Sequence, residues 1–306
     1  MQSAPFGLSQ SQKIQVTLLY LYASFDYLKE LRLKLQGLMV SVDPTLELSK
    51  MQRGNSLITA FQRGAREMSE DWRNDACSIL MHFERSVEGQ MTERASDSFS
   101  ITIANECERS LREISLAWMT PDGQDNFDDQ FQANSWHARQ LDDTVSQHQR
   151  AGRWDDFSLM LAASECKHDI DRADSLRLRP DILGVSGTTP ARTGVYLPLD
   201  DPYGTPQFYW TGNPQDVLLD CNTFNELGLE ALASIGRDDL LINKSRMLEF
   251  ARRHAKDPRL TQDPFFDDSI SDEDHAPSLV ARNAFTTRPC RWMYVEQIHG
   301  ALKKLN

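Results

Sequence analysis

The chain has 306 residues and a formal net charge of −12, from 45 acidic against 33 basic side chains. Hydrophobic residues at 40% and charged residues at 25% are ordinary for a folded protein and exclude intrinsic disorder. A surface of this sign repels nucleic-acid phosphate and anionic lipid, and it favours a basic protein partner.

Along the chain the first strong signal is helical. Ile14 to Phe25 follows Lys13 and is rich in apolar residues. Gln15 and Thr17 interrupt it and no small-residue cleavage site follows, so it reads as an amphipathic helix and not as an export signal. Leu18, Leu21, Phe25, Leu28, Leu35 and Met39 continue the stripe until Ser41 to Pro44 ends it. Leu57, Phe61, Ala65, Met68, Trp72, Ala76, Ile79, Phe83 and Val87 recur in steps of three and four, the period of a long amphipathic helix. Ile103, Cys107, Leu111, Ile114 and Trp118 mark a third helix that stops before Pro121. Asp122 to Asp129 reads as an acidic loop, Phe131 to Arg150 as a peripheral helix, and Asp155-Asp156 as first-turn acids of a helix to about Arg172.

Near Arg179-Pro180 the texture changes. Proline and glycine recur from there to about Asp220, which disfavours helix. Gly194 to Leu197 and Gln207 to Thr211 fit short extended pieces, with Val217 to Leu219 as a third. Helix resumes behind a cap at Asn222 or Thr223, with Glu226 at capping-box spacing and Gly236 at the C-cap. A further helix spans about Asn243 to His254, Asp257 to Pro277 reads as acidic loop, and Pro289 to Lys304 as a closing helix with Trp292, Val295, Ile298 and Leu302 on one face. The expected fold class is therefore mainly α: an up-and-down helical bundle with a small Pro/Gly-rich insert carrying short β-strands. Residues 1–178 form the N-terminal bundle, and residues 179–306 form the insert and C-terminal helices, packed on the bundle as one globular unit.

The standard catalytic constellations are not visible. Gly184-Val185-Ser186-Gly187 is one residue short of a nucleophile elbow and reads as a flexible turn. Cys166-Lys167-His168 with Asp171 offers too few convergent ligands for a metal. The five cysteines Cys77, Cys107, Cys166, Cys221 and Cys290 are dispersed, which points to a reducing compartment. Paired acids at Asp128-Asp129, Asp142-Asp143, Asp155-Asp156, Asp200-Asp201, Asp238-Asp239 and Asp267-Asp268 read as solvated surface, and Phe208-Tyr209-Trp210 reads as core in preference to a ligand platform. No catalytic, cofactor or metal residue is expected.

One block has the character of a signature. Gly204-Thr205-Pro206-Gln207-Phe208-Tyr209-Trp210-Thr211-Gly212, then Phe224-Asn225-Glu226-Leu227-Gly228, then Gly236-Arg237, resembles bacterial polymorphic-toxin immunity proteins, many of them associated with type VI secretion effectors. The resemblance covers about the C-terminal third. It implies a cytoplasmic, non-enzymatic antitoxin that neutralises a cognate toxin, most readily a nuclease with a basic cleft, in a stoichiometric complex. The acidic segments Asp125, Asp128, Asp129 and Asp267, Asp268, Asp272, Glu273, Asp274 are the expected partner contacts. No nucleic acid, membrane or cofactor is called for, and a homodimer is compatible with the same properties. An effector adaptor or chaperone, or an enzyme of unfamiliar type, is the alternative.

Overall fold

A computed structural model describes residues 7–41, 76–114, 116, 119, 121–146, 154–166, 175–212, 217–237, 239–240 and 242–298. The chain divides into two compact units: a discontinuous one of Met1–Leu21 with Gln147–Asn306, and a continuous one of Tyr22–Ser146.

The continuous unit is helical. Its elements are α2 (Phe25–Ser41), α3 (Cys77–Arg94), α4 (Ala104–Arg112) and α5 (Pro121–Val145). Leu28, Leu31, Leu35 and Leu38 of α2 are buried, as are Leu80, Phe83 and Val87 of α3, as their helical spacing dictates. Arg32 on α2 donates to Glu84 on α3 at 2.6 Å, and Gln36 donates to the same carboxylate at 2.8 Å. The remainder of the long stripe, from Leu57 to Trp72, lies outside the described residues, as do Trp118 and Arg150. Asp122 to Asp129 is not a loop. Pro121 is the first residue of α5, where its fixed φ suits a helix start and its missing amide costs nothing. Asp122 sits in the first turn, at the positive end of the helix dipole.

The discontinuous unit mixes helix and sheet. It contains α1 (Gln10–Tyr22, up to Leu21), α6 (Asp156–Glu165), β1 (Ser175–Val185), β2 (Gly194–Pro198), β3 (Gln207–Tyr209), β4 (Cys221–Phe224), α7 (Glu226–Ile235), α8 (Lys244–Arg253), α9 (Pro258–Thr261), α10 (Phe266–Ser271), α11 (Ala276–Asn283), β5 (Phe285–Arg288) and β6 (Arg291–Ile298). Four strands form an antiparallel sheet in the order β1-β6-β2-β3, and β4 pairs with β5 in a second antiparallel sheet.

These sheets overturn the expected mainly α bundle with a small β insert; the architecture is mixed α and β. Where a closing helix was expected, Arg291–Ile298 is a strand, and residues 299–304 of that span, Leu302 among them, lie outside the described residues. Trp292, Met293, Tyr294 and Val295 are all buried, because β6 is a central strand flanked by β1 and β2. A strand covered on both faces reads as a continuous apolar run and loses the alternation that would identify it. β1 was obscured by Pro180. It is an edge strand, and a register irregularity between Arg179 and Leu183 absorbs the proline, which an inner strand would not tolerate. Arg177 lies opposite Glu296 in the ladder and pairs with it.

Two glycines make close approaches that a side chain would block. Gly194 has φ +144°, and a Cβ there would lie 2.7 Å from Tyr20 Oη. That hydroxyl accepts from Val195 N at 3.2 Å and donates to Val295 O, which fixes α1 against β2 and β6. Burial raises the Tyr20 phenol far above its ordinary range. A Cβ at Gly228 would lie 2.3 Å from the carbonyl oxygen of Ala284. Just before it, Asn225 caps α7 by accepting from Gly228 N at 3.0 Å, while its Nδ2 donates to Asn283 O at 2.8 Å. The cap is therefore Asn225, whereas Asn222 and Thr223 belong to β4. Likewise Asp155 is the N-cap of α6, and Asp257 to Pro277 contains α9, α10 and the start of α11.

Candidate partner-binding surface

The paired acids separate into two classes. Asp142 is held by the Thr102 amide and hydroxyl, each at 2.6 Å, and burial still pushes its carboxyl up to about 6. Asp155 accepts from the Ser158 amide at 2.8 Å. Asp156, 2% exposed, accepts from Gln15 at 2.7 Å and pairs with Arg237. Asp200 accepts from the Arg291 amide and guanidinium, and Asp239 pairs with Arg246 at 2.6 Å. These acids have structural duties; Asp238 lies outside the described residues.

Asp128-Asp129 and Asp267-Asp268 are different. Among the described residues the side chains of Asp125, Asp128, Asp129, Asp267 and Asp268 are exposed and form no ion pair. The other three expected contacts have internal partners. Asp274 pairs with Lys244, which holds its carboxyl below the usual range. Glu273 accepts from Ser245 at 2.9 Å, and Asp272 faces His275 at 3.3 Å.

Each unpaired acid pair borders an aromatic hollow. In the continuous unit, Asp128 stands on the lip of an open cleft of about 580 Å³ between α4 and α5. Leu111, Phe127 and Phe131 form its apolar floor, and the two phenyl rings stack one helical turn apart with centroids 6.0 Å apart. Trp136 leaves its indole 46% exposed on the rim. At the far end Glu108 pairs with both Arg112 and Arg139. In the discontinuous unit, Asp268 borders a hollow of about 290 Å³ with Phe265, which is 61% exposed and carries the Arg282 guanidinium 5.3 Å above its ring. Sequence reasoning found the acids but missed the aromatics. Phe127, Phe131 and Ser135 repeat every fourth residue, a helical signal that was hidden by treating Pro121 as a terminator.

The signature block is mostly buried, with Thr211, Gly212, Glu226 and Gly236 exposed. Gly204 through Trp210 are inaccessible, so Phe208-Tyr209-Trp210 is core and not an open platform. The Tyr209 ring meets Tyr196 and Trp292 edge to face, at 5.8 Å and 5.6 Å. Arg237 is spent on Asp156. Ser186 accepts from Cys290 N at 3.0 Å and donates to Leu219 O at 3.1 Å, a turn-closing role. Cys166 is described, but Lys167, His168 and Asp171 lie outside the described residues. Among the described residues, no group of three or more His, Cys, Asp or Glu side chains is arranged to hold a metal, and no helix is long and apolar enough to cross a membrane. In comparisons with known proteins, no family model, curated protein or solved structure matches the chain.

Proposed function

We propose that this chain is an immunity protein that works in the cytoplasm by binding a basic, cytosol-acting toxin, with a nuclease as the first choice. The observation that carries the reading is the division among the acids. Asp142, Asp155, Asp156, Asp200 and Asp239 are bound into the fold, whereas Asp125, Asp128, Asp129, Asp267 and Asp268 are exposed without an ion pair, and Asp128 and Asp268 border aromatic hollows. Unpaired surface charge of one sign raises the free energy of the protein alone and is relieved by a partner of opposite sign. Exposed Trp136, Phe265 and the neighbouring arginines add the side-chain types that dominate binding energy at interfaces. The net charge of −12 supplies long-range steering toward a basic active-site cleft. The resemblance of the Gly204–Gly212 and Phe224–Gly228 blocks to immunity proteins supports the same reading, and most of these residues are buried in the fold.

The test is co-expression with the product of the neighbouring reading frame. The expected result is rescue of growth from a toxic neighbour and co-purification of a stoichiometric complex. A toxic neighbour that is neither neutralised nor bound removes the proposal.

A further inference from the structure

We propose that the cleft between α4 and α5 is a docking groove for a basic amphipathic helix of a protein partner. The proposal deepens the binding reading above and rests on it for the partner being a protein.

The floor of the groove is a straight row. Phe127, Phe131 and Ser135 are spaced four residues apart on α5, so they follow one face of the helix for about 12 Å. That length matches two turns of an opposing helix, whose side chains at every third or fourth position would meet the row. Ser135 gives a second, independent sign of a missing ligand. It is 5% exposed and lines the cleft, yet its Oγ has no hydrogen-bond partner. Buried hydroxyls are ordinarily satisfied, so this one is an open position for a donor or acceptor brought in by the occupant.

Charge selects the occupant. Glu108 pairs with both Arg112 and Arg139, which leaves that end of the cleft with one positive charge in excess. Asp125, Asp128 and Asp129 at the other end have no such partner, and Asp128 stands on the lip itself. The four charged residues that line the groove balance, and the exposed Asp125 and Asp129 beside it make its Asp128 margin negative, which an apolar helix face flanked by lysine or arginine complements. The exposed Trp136 indole provides an apolar rim such a helix would cover.

The probe is a fluorescein-labelled helical peptide of Leu and Lys, titrated against the full chain by anisotropy, with a Leu/Glu peptide as its counterpart. The Lys peptide is expected to bind saturably and to weaken with salt, and the Glu peptide is expected not to bind. Asp125→Asn/Asp128→Asn/Asp129→Asn and Trp136→Ala should each weaken binding by roughly tenfold or more. All the altered side chains are exposed, and circular dichroism melts confirm that the variants are folded. Absence of Lys-peptide binding, preference for the Glu peptide, or affinity indifferent to Trp136→Ala and to the triple variant overturns the proposal. No toxin takes part in this assay, so its failure removes the groove and leaves the immunity reading standing. Failure of the co-expression test leaves the groove standing.

Discussion

The side-chain amide of Gln207 pairs with both backbone groups of Trp154, donating to its carbonyl at 2.9 Å and accepting from its amide at 3.4 Å. One glutamine thus performs the work of a strand neighbour for the chain leading into α6. Asn222 reinforces it by donating to the same carbonyl at 3.2 Å. Gln207 is 1% exposed, so water cannot take over. Gln207→Leu keeps most of the volume and should destabilise the fold by about 1–3 kcal/mol in urea melts. Gln207→Glu should be worse at neutral pH, because a carboxylate cannot donate to the carbonyl. A Leu variant as stable as the parent would show that the pairing contributes nothing.

Asp156 and Arg237 make a second, harsher prediction. The carboxylate is buried, its Oδ2 has no partner, and Arg237 Nε is likewise unsatisfied. Burial raises the Asp156 carboxyl, and Arg237 opposes the rise. Removing the guanidinium with Arg237→Met leaves the charge to Gln15 alone and should cost about 3–5 kcal/mol near pH 7. The variant's carboxyl titrates higher still when folded. Its deficit is therefore smallest at acid pH, where both states are protonated, and grows as pH rises through the folded value. A deficit independent of pH would mean that the loss is packing and not charge.

His137 and Asp142 oppose each other on acidification. Lys34 donates to His137 Nδ1 at 3.0 Å, so the neutral ring donates from Nε2 to Tyr27 O at 2.9 Å, and burial pushes the imidazole down from 6.5 to about 4. The unfolded histidine takes up a proton first, so this site loses stability as pH falls through that window, by about 3 kcal/mol in all. Asp142 is raised from 3.8 to about 6, so its stabilisation is present at low pH and is lost as pH rises, again by about 3 kcal/mol. The two nearly cancel between pH 4 and 6. Relative to the parent, His137→Gln should gain stability on acidification and Asp142→Asn should lose it. Parallel pH profiles for all three proteins would refute both assignments.

Charge neutralisation should separate the acids by their duties. Asp267→Asn/Asp268→Asn should slow association with a basic partner and flatten its salt dependence, with melting unchanged, because neither side chain holds an internal partner. Asp274→Asn breaks the Lys244 pair between two exposed groups and should alter melting by only about 0.2–1 kcal/mol. Asp263→Asn is the contrasting control. Arg282 and Asn283 both donate to that 5% exposed carboxylate and hold it well below its usual range, so its loss should be felt in stability. Equal kinetic effects from all three changes would dissociate the partner surface from the unpaired acids.

Local chemistry made part of the fold legible. Leu28 and Leu35 of the expected row are buried, although Phe25 is exposed and Leu31 and Leu38 complete the row, and the strands at Gly194–Pro198 and Gln207–Tyr209 and the Gly236 C-cap follow from aromatic content and glycine geometry. Long-range pairing was not legible. Trp292, Val295 and Ile298 are spaced as on a helix, and only the presence of β1 and β2 on either side makes them a strand. The acids of the candidate surface could be named, but not sorted. Whether Asp200 or Asp268 is free depends on where Arg291 lies, more than ninety residues from Asp200 in one case and out of reach in the other. The cleft was invisible because α4 and α5 meet across a connection that Pro121 seemed to interrupt.

The central position of β6 has a consequence for synthesis. Ser175 waits for Ile298 and Val195 for Val295, and Gln15 of α1 waits for Asp156. Tyr22–Ser146, in contrast, has its partners within one uninterrupted stretch of chain. On a ribosome that stretch can complete its contacts while α1 and the early strands remain unmatched, and the sheet must form late through high-contact-order closure. Unpaired β1 and β2 edges are then exposed for longest, which makes the discontinuous unit the one whose nascent form depends on protection from aggregation.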